Sequence, residues 1–496
     1  MSSRKFNEYK GLDLPQLGRE VLEVWDRENT FGRSITEREG APAFIFYEGP
    51  PSANGLPGIH HVLSRTIKDT ICRYKTQQGY LVRRKAGWDT HGLPVELGVE
   101  KKLGITKEDI GHKISIEEYN RTCREAVMEF TGVWEELTRK MGYWVDMKHP
   151  YITYENKYIE TLWWMLKQLF DKGLLYKGYT IQPYSPAAGT GLSNHELNQP
   201  GCYRDVKDTT CTAQFEIIRD ERSEFLFDDA QGTLYFLAWT TTPWTLPSNT
   251  ALAVGDNIEY VRVKCLNPYT QQPQTVILAK ELLPAYFTPK MEGTYSIGER
   301  IYKGSELVGI RYRQLIDWVK PMGDAFRVIS GDYVTTVDGT GIVHIAPTFG
   351  ADDDRVGKQA GIVPMYVVDR AGKNQPMVDR RGRLFRIEDM DPDFVAKYVD
   401  AERYREWAGR FVKNAYDPSL GPDDPTLDID IAVMLKGEGK AFKIEKHTHS
   451  YPHCWRTDKP VLYYPLDSWF IRTTALRERL MELNDTIDWK PASTGT

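Results

Sequence analysis

The sequence predicts an α/β protein whose parallel sheet is interrupted by a second, β-rich domain. A strand, a helix and a second strand follow one another within about 50 residues, the pattern of a βαβ unit in a parallel sheet. From about 205 to 415, short β-rich runs alternate with turns rich in Gly, Pro and Asp. A core-like apolar segment returns at 461–475, so the β-rich stretch reads as an insertion.

The composition is that of an ordinary globular protein. The chain has 496 residues, 41% hydrophobic and 27% charged, which is enough for roughly two to four domains. A net charge of −5 gives no overall basic field that would indicate nucleic-acid binding. No secretory signal and no apolar run near the ~20 residues of a membrane span is present, so we expect a cytoplasmic protein without membrane attachment. Six scattered cysteines without a CxxC pair favour a reducing compartment.

The elements of the first domain follow in order. Residues 1–40 are polar and predict a helical arm. The segment 43–51 predicts a short buried strand that stops at its Gly-Pro-Pro turn, because proline cannot continue a strand ladder. Helically spaced apolar residues predict a helix that begins near His60, and 79–87 predicts the second strand. The pattern from 97 to 180 is helical. The apolar positions of the helix near His60 are Val62, Leu63, Ile67, Ile71 and Tyr74.

Two loops of the predicted sheet are expected to face a ligand, since ligands bind beyond the carboxyl ends of parallel strands. In the loop 49–61, His60 and His61 lie at a predicted helix N-terminus, where free N–H groups and the helix dipole favour phosphate. They fit a phosphate-binding role, and they equally fit solvated residues at a helix end. In the loop 87–94, Asp89 is either the counter-ion of an ammonium group or a turn aspartate.

Hydroxyl-bearing and ionisable residues recur in the β-rich stretch. The segment "WTTTPWTLPSN" (239–249) sets three threonines at a strand-to-turn junction, where hydroxyls could orient a water or bind a sugar. Threonine is also simply common in strands. His344 lies alone in an apolar strand, which is typical of a core histidine as well as of a site. The run 352–354, "DDD", fits a solvated turn or a Mg²⁺ site.

The segment 447–455, "HTHSYPHCW", carries three histidines and one cysteine, residue types that bind zinc. No second Cys/His pair elsewhere completes a tetrahedral site. The sequence therefore predicts no zinc and no other metal site here.

Six blocks, in order and at matching spacing, resemble the class I aminoacyl-tRNA synthetases and most closely the isoleucyl-tRNA synthetase family. The resemblance runs from about residue 40 to the end of the chain. "TTTPWT" together with "GWDTHGLP" favours the isoleucine enzymes, with a portion of a valyl or leucyl type as an alternative. The blocks are "EGPPSANGLP", "IKDTICRYKTQQGY", "GWDTHGLPVE", "WTTTPWTLPSNTALAV", "GTGIVHIAPTFGADDDRVG" and "YPHCWRTDKPVLYYPLDSWFI".

The resemblance implies an activity and a domain plan. It implies a monomeric ligase that uses ATP with Mg²⁺ to form isoleucyl-adenylate and then transfers the acyl group to tRNA(Ile). The expected segments are a helical arm at 1–40, the first half of a Rossmann-like catalytic domain and the start of the insertion at 41–204, a β-rich editing domain at 205–415, and the return to the catalytic domain at 416–496.

The resemblance also implies roles for residues of the catalytic domain. Pro50 would line the amino-acid pocket, and Asp89 would pair with the substrate ammonium. The family signature after "GPPxANG" is His-x-Gly-His, whereas this chain has Gly58, Ile59, His60 and His61. The last histidine keeps its place, so His61 inherits the phosphate-contacting role. Gly58 and His60 would also contact the nucleotide, with His60 altering the pocket where the family has glycine.

For the β-rich domain, the resemblance implies hydrolysis of misacylated valyl-tRNA(Ile). A second pocket is needed because one methylene discriminates by only about 1–3 kcal/mol, isoleucine against valine being the standard example. Asp353 would hold the ammonium of the misplaced amino acid. Thr241, Thr242 and His344 would be catalytic, and Trp239, Thr240 and Thr245 would complete the pocket.

Two further departures from the family pattern bear on the expected activity. Many relatives hold zinc through Cys-x-x-Cys pairs, but the matching positions here are Ser185, Ala188, Cys454 and Thr457, so we expect no zinc. The family's lysine-rich loop for pyrophosphate is not found, so we expect a portion of a longer protein that cannot aminoacylate alone. Open alternatives are a stand-alone hydrolase of mischarged tRNA and a non-catalytic binding module.

Overall fold

The computed structural model describes residues 11–291, 293–421 and 424–495. The first ten residues of the expected helical arm lie outside these ranges. The chain divides into two compact units, residues 1–175 with 471–496, and Tyr176–Phe470. Within the described ranges, no helix is both long and apolar enough to cross a membrane. The six cysteines all lie in this part of the chain and are unpaired.

The first unit is built on a small parallel sheet. Its strands are β1 (Phe46–Tyr47), β2 (Arg84–Trp88) and β3 (Asp146–Ile152), in that spatial order and parallel throughout. The helix between the first two strands makes the predicted βαβ unit, so the expected α/β fold with a parallel sheet is confirmed. The helices are α1 (Leu14–Arg27), α2 (Thr30–Thr36), α3 (Ile59–Gln77), α4 (Leu93–Leu103), α5 (Ile116–Val127), α6 (Thr131–Lys140) and α7 (Asn156–Asp171).

The strand β3 was not expected, and the prediction of helix throughout 97–180 is wrong for these residues. Their sequence, "DMKHPYI", has neither strict alternation nor an apolar run. Tertiary pairing decides their conformation instead, because Gly87 on β2 leaves room for the ring of Tyr151 on β3. A Cβ at Gly87 would lie 2.3 Å from Cζ of that ring.

One side of α3 remains open to solvent. Periodicity predicted this helix, but the apolar stripe that defines it is not buried against the rest of the unit. The exposed side chains are Ile59, Leu63, Ile67, Ile71 and Tyr74.

The second unit is dominated by a nine-stranded mixed sheet. Its main path runs β11-β9-β10-β7-β13-β8-β12, and β6 pairs with both β7 and β16. The strands of the unit are β4 (Leu175–Ser185), β5 (Thr190–Gly191), β6 (Tyr203–Glu216), β7 (Thr233–Thr240), β8 (Ala251–Val254), β9 (Glu259–Leu266), β10 (Pro273–Ala279), β11 (Ser296–Lys303), β12 (Arg327–Ser330), β13 (Ile342–Ile345), β14 (Tyr366–Val368), β15 (Asn374–Pro376), β16 (Ala441–Pro452) and β17 (Leu462–Ile471).

Short helices surround this sheet. The helices are α8 (Asn194–Leu197), α9 (Leu283–Tyr286), α10 (Gly304–Leu307), α11 (Ala351–Ala360), α12 (Pro392–Tyr398), α13 (Ala401–Tyr404) and α14 (Leu427–Gly437), and α15 (Arg477–Asn484) follows in the first unit. The compact unit is longer than the 205–415 stretch expected from the sequence. The long antiparallel pairing of β6 with β16, and a small sheet of β17, β4 and β5, extend it at both ends.

Three elements of this unit meet at one place. β7 and β13 are parallel neighbours, with Val343 opposite Trp239. Past the end of β7 the chain turns into a 3₁₀ helix, Pro243–Ser248. The turn after β13 leads into α11. The carboxyl end of β7 therefore lies beside the strand that carries His344.

Candidate functional site

In the first unit, the N-terminus of α3 fixes the tautomer of His61. Gly58 is the N-cap, and its backbone N–H donates to Nδ1 of His61 over 2.9 Å. The proton of the neutral ring therefore lies on Nε2. Burial, together with the neighbouring His60 and Arg65, lowers the pKa of His61, which favours this neutral form. The result is an N–H donor at a helix N-terminus.

His60 is exposed, and its ring lies against His61 with centroids 3.8 Å apart. A Cβ at Gly58 would lie 2.8 Å from Cε1 of His60. Histidine at position 58, where the family pattern has it, therefore competes for space with the ring at position 60. A side chain at position 58 therefore requires the exposed ring of His60 to shift.

The loops that carry Pro50 and Asp89 are joined by a backbone hydrogen bond. The N–H of Asp89 donates to the carbonyl of Pro51 over 3.0 Å. Both Pro50 and Asp89 are partly buried. The parallel pairing of β1 with β2 brings the two loops to the same edge of the sheet.

Sequence reasoning missed a buried carboxylate beside these loops. The side chain of Glu48 is only 2% exposed, and Lys68 pairs with it at 3.0 Å. The hydroxyl of Tyr143 donates to its other carboxylate oxygen. The available signal was a single charged residue at the end of an apolar strand.

In the second unit, one cavity of about 340 Å³ gathers all the residues that the resemblance assigned to the hydrolytic pocket. The wall comes from the end of β7, the 3₁₀ helix, the segment 333–341, β13 and the start of α11. Those residues are Trp239, Thr240, Thr241, Thr242, Thr245, His344 and Asp353.

A directed hydrogen-bond chain runs behind this cavity. The hydroxyl of Tyr312 donates to Oδ1 of Asn249 over 2.8 Å, which orients the amide. Nδ2 of Asn249 then donates to Nδ1 of His344 over 3.1 Å and to the carbonyl of Ala251 over 2.8 Å. Since Nδ1 accepts, Nε2 of His344 carries the proton and donates to the hydroxyl of Thr245 over 2.8 Å.

Burial lowers the pKa of His344 to about 4, so the ring is neutral at physiological pH. Its Nε2 proton is committed to Thr245, whose own hydroxyl donates to the carbonyl of Thr242 over 2.8 Å. This arrangement holds a hydroxyl in place. It does not present a basic nitrogen to the cavity.

The other threonines form a row of hydroxyls. The N–H of Thr242 donates to the hydroxyl of Thr240 over 3.1 Å, so the O–H of Thr240 is left to donate elsewhere. The hydroxyl of Thr242 lies 3.4 Å from that of Thr240 and 3.5 Å from that of Thr245. Such a row can orient a water molecule.

Asp353 supplies the more buried of two carboxylates that line the cavity, and the other, Asp338, is exposed. It lies in the first turn of α11 and accepts from the N–H of Ala346 over 2.9 Å and from the hydroxyl of Tyr333 over 3.2 Å. Burial raises the pKa of Asp353 to about 6, so the group is charged at neutral pH. A partly buried carboxylate without a cationic side chain among these partners suits an ammonium ligand.

Sequence reasoning missed three residues of this site. Asn249 ends the threonine block and could have been found there as a buried amide. Tyr312 and Tyr333 belong to none of the six blocks, and no local pattern distinguishes them from core tyrosines.

The residues matching the family's zinc ligands do not fit a metal. Ser185 is buried and its hydroxyl accepts from the N–H of Ala188, and the hydroxyl of Thr457 is buried without a hydrogen-bond partner. Cys454 supplies the single thiol of the set. Among the residues that the structure describes, no three His, Cys, Asp or Glu side chains converge as metal ligands.

Comparison with known proteins finds close relatives over the whole chain. The chain is 64% identical over its whole length to the isoleucine–tRNA ligase of Bacteroides fragilis, and 63% identical to that of Porphyromonas gingivalis. It spans 44% of the length of each of these relatives. The isoleucine–tRNA ligase of Clostridium tetani is 43% identical over 97% of this chain and 41% of that protein.

A solved structure entitled "The crystal structure of GlLeuRS-CP1" aligns with 48% of the chain at 14% identity, and its TM-score of 0.31 is too low to support an inference. The family model described as class I tRNA synthetases (I, L, M and V) matches residues 20–496. With the parallel βαβ unit and the signature loops at its edge, this match means that the chain belongs to the class I tRNA synthetases of the isoleucine, leucine, methionine and valine group.

Proposed function

We propose that this chain acts in an isoleucine–tRNA ligase with two separate amine-binding sites. In the first unit, isoleucine and ATP with Mg²⁺ would form isoleucyl-adenylate, and the acyl group would pass to tRNA(Ile). The identity of 64% to isoleucine–tRNA ligases over the whole chain supports this substrate choice. Asp89 would pair with the ammonium of isoleucine, and Pro50 would line the side-chain pocket.

His61 is the group we assign to the phosphates of ATP. Its Nε2–H and the first turn of α3 offer donors at the positive end of a helix dipole. Such donors stabilise the charge that develops on phosphate oxygens during adenylate formation. Gly58 contributes by holding the ring through its N–H, and exposed His60 borders the same surface.

In the second unit we propose hydrolytic proofreading of valyl-tRNA(Ile). The observation that carries this proposal is the cavity in which threonine hydroxyls, one neutral histidine and the buried carboxylate of Asp353 meet. Asp353 would bind the ammonium of the misplaced valine. The terminal ribose of the tRNA would bring the ester to the row of hydroxyls.

The reaction is the addition of water to an ester. A water held by Thr240 and Thr242 would attack the carbonyl carbon, the bond to the ribose oxygen would break, and that oxygen would take up a proton. The products are valine and tRNA with a free hydroxyl. His344 acts as a positioning residue in this scheme, because it fixes Thr245 and its pKa of about 4 makes it a weak base.

The test compares two activities of the protein that carries this chain. We expect deacylation of valyl-tRNA(Ile) to exceed that of isoleucyl-tRNA(Ile), and ATP–pyrophosphate exchange to prefer isoleucine over valine and leucine. Thr245→Val should lower deacylation and spare exchange. Thr233→Val, the same change at the exposed start of β7, serves as the matched control.

Each outcome separates the alternatives. A preference for valine or leucine in exchange would replace the isoleucine assignment. Deacylation without any exchange would favour a stand-alone hydrolase. Absence of deacylation in the unmodified protein would remove the proofreading proposal.

A further inference from the structure

A buried group of charges lies directly behind residues 240–245, which we call the threonine loop of the cavity. Asp428, in the first turn of α14, has a side chain only 2% exposed. Its Oδ1 accepts from the backbone N–H of Trp244 over 2.9 Å. Trp244 lies between Thr242 and Thr245, at the second position of the 3₁₀ helix Pro243–Ser248.

Lys413 holds this carboxylate from the other side. Its Nζ lies 3.4 Å from Oδ2 of Asp428 and 3.0 Å from Oδ2 of Asp208 on β6. Nε2 of His449 lies 3.2 Å from the same oxygen of Asp208, and Lys413 stands 4.9 Å from the ring centre of Tyr451. Side chains from α14, the segment around Lys413, β6 and β16 thus support the hydrogen bond between Asp428 and the threonine loop.

The charges of this group depend on one another. Burial raises the pKa of Asp428 to about 6, although Lys413 acts to lower it. Burial acts to lower the pKa of Lys413, yet Asp428 and Asp208 hold it above its ordinary value. Both groups are therefore charged at neutral pH, and each is costly to leave buried without the other.

The N–H group of Trp244, which donates to Asp428, lies in the first turn of the 3₁₀ helix Pro243–Ser248. The first N–H groups of a helix have no partner within it, so an external acceptor satisfies them and fixes the entry of the chain. Here the chain on either side of that N–H carries the hydroxyls of the cavity.

We propose that Asp428 and Lys413 are positioning residues of the hydrolytic site: Asp428 fixes the backbone of Trp244 so that Thr242 and Thr245 face the cavity, and Lys413 fixes Asp428. This inference rests on the proposed hydrolysis of valyl-tRNA(Ile). Neither residue touches the cavity, so both act through the threonine loop.

The first experiment measures deacylation kinetics of variants in the protein that carries this chain. Asp428→Ala removes the acceptor and should lower kcat about ten- to hundredfold with KM unchanged. Asp428→Asn keeps an acceptor oxygen and should stay within about threefold of the parent. Asp430→Asn, on the same helix turn but paired with Arg410 at the surface, is the matched control and should not change kcat.

A double-mutant cycle separates positioning from general stabilisation. In a Thr245→Val background, Asp428→Ala should lower kcat by a smaller factor than in the parent, because one of the two groups that it positions is already gone. Equal losses in both backgrounds would overturn the proposal. So would an Asp428→Asn variant as inactive as Asp428→Ala with a matching fall in Tm.

Lys413→Gln covers the case in which Asp428→Ala does not fold. We expect a fall in kcat of about three- to tenfold at unchanged KM, and an unchanged kcat would contradict the role of Lys413. ATP–pyrophosphate exchange should be unaffected throughout. If the unmodified protein does not deacylate valyl-tRNA(Ile), the proposed function and this inference fail together; if it does and the variants match it, only this inference fails.

Discussion

At the scale of single residues, the second unit separates the duties of its ionisable side chains. Asp353 presents a carboxylate to the cavity, while both ring nitrogens of His344 are hydrogen-bonded, Nδ1 to Asn249 and Nε2 to Thr245. The protonation of Asp353 therefore governs the charge of the buried part of the cavity, and the ring of His344 governs its geometry. Two predictions follow from these different duties.

The first prediction concerns pH. Because an ammonium ligand needs the ionised carboxylate, and the pKa of Asp353 is raised to about 6, kcat/KM for deacylation should rise with pH through about 6, until the α-amino group of the substrate itself loses its proton at about pH 7–8. His344, with a pKa of about 4, stays neutral across this window and adds no second limb. A pH profile from 5 to 8 measures this, and Asp353→Asn should flatten it at a low rate. A wild-type profile without a limb near 6 would contradict the role of Asp353.

The substitution Asn249→Asp should reverse the direction of the hydrogen bonds through His344. Asn249→Asp replaces the amide donor by an acceptor, so Nδ1 of His344 must take the proton and the pKa of the ring should rise. Nε2 would then accept from Thr245, whose hydroxyl would no longer donate to Thr242, and deacylation should fall. The nitrogen chemical shifts of His344 report the tautomer directly. Asn198→Asp, at an exposed helix end, should leave both the shifts and the rate unchanged.

At the scale of elements, the close approach of β2 and β3 depends on one missing Cβ. The ring of Tyr151 lies over Gly87, stacks on Tyr158 and donates its hydroxyl to the carbonyl of Glu48. The ring therefore cannot move aside without losing contacts. Since Asp89 follows this strand closely, the packing at Gly87 also sets the position of the loop that carries it.

Gly87→Ala should therefore destabilise the first unit by about 1–3 kcal/mol, because overpacking forces the ring or the strands apart. Gly98→Ala is the matched control, since its Cβ would meet nothing within 4 Å inside α4. That change should stabilise by about 0.5–1 kcal/mol. Denaturant unfolding of the two variants measures both effects. Equal stability of the two variants would contradict the packing argument.

Local sequence patterns predict some elements of this fold and leave others unpredicted. Strong periodicity and turn residues predicted β1, α3 and β2, and the motif blocks supplied every predicted residue that lines the cavity. Asn249 lay at the end of a block, but Tyr312 and Asp428 come from distant segments whose contacts arise only through tertiary pairing. The strand β3 escaped prediction for the same reason. A local pattern reports which face of an element is apolar, and it does not report which neighbour will cover that face.

At the scale of the whole molecule, the two compact units have separate hydrophobic cores. Phe236, on β7, is fully buried in the second unit, whereas Trp134 and Trp88 belong to a core cluster of the first. Separate cores predict separate unfolding events.

We expect two thermal transitions that respond to different substitutions. Phe236→Ala should lower the transition of the second unit, since emptying a buried aromatic position costs about 3–5 kcal/mol. Gly87→Ala should lower only that of the first unit. Calorimetry of both variants tests this assignment, and a single transition that both variants shift equally would show that the units unfold together.

The open side of α3 also shapes how this chain behaves in solution. Exposed fractions along it run from 49% at Ile71 to 81% at Ile59, so a strip of hydrocarbon more than three helical turns long faces water. Surfaces of this kind draw molecules together as their concentration rises. We therefore expect these 496 residues to self-associate reversibly as their concentration rises, and light scattering across a dilution series measures this association.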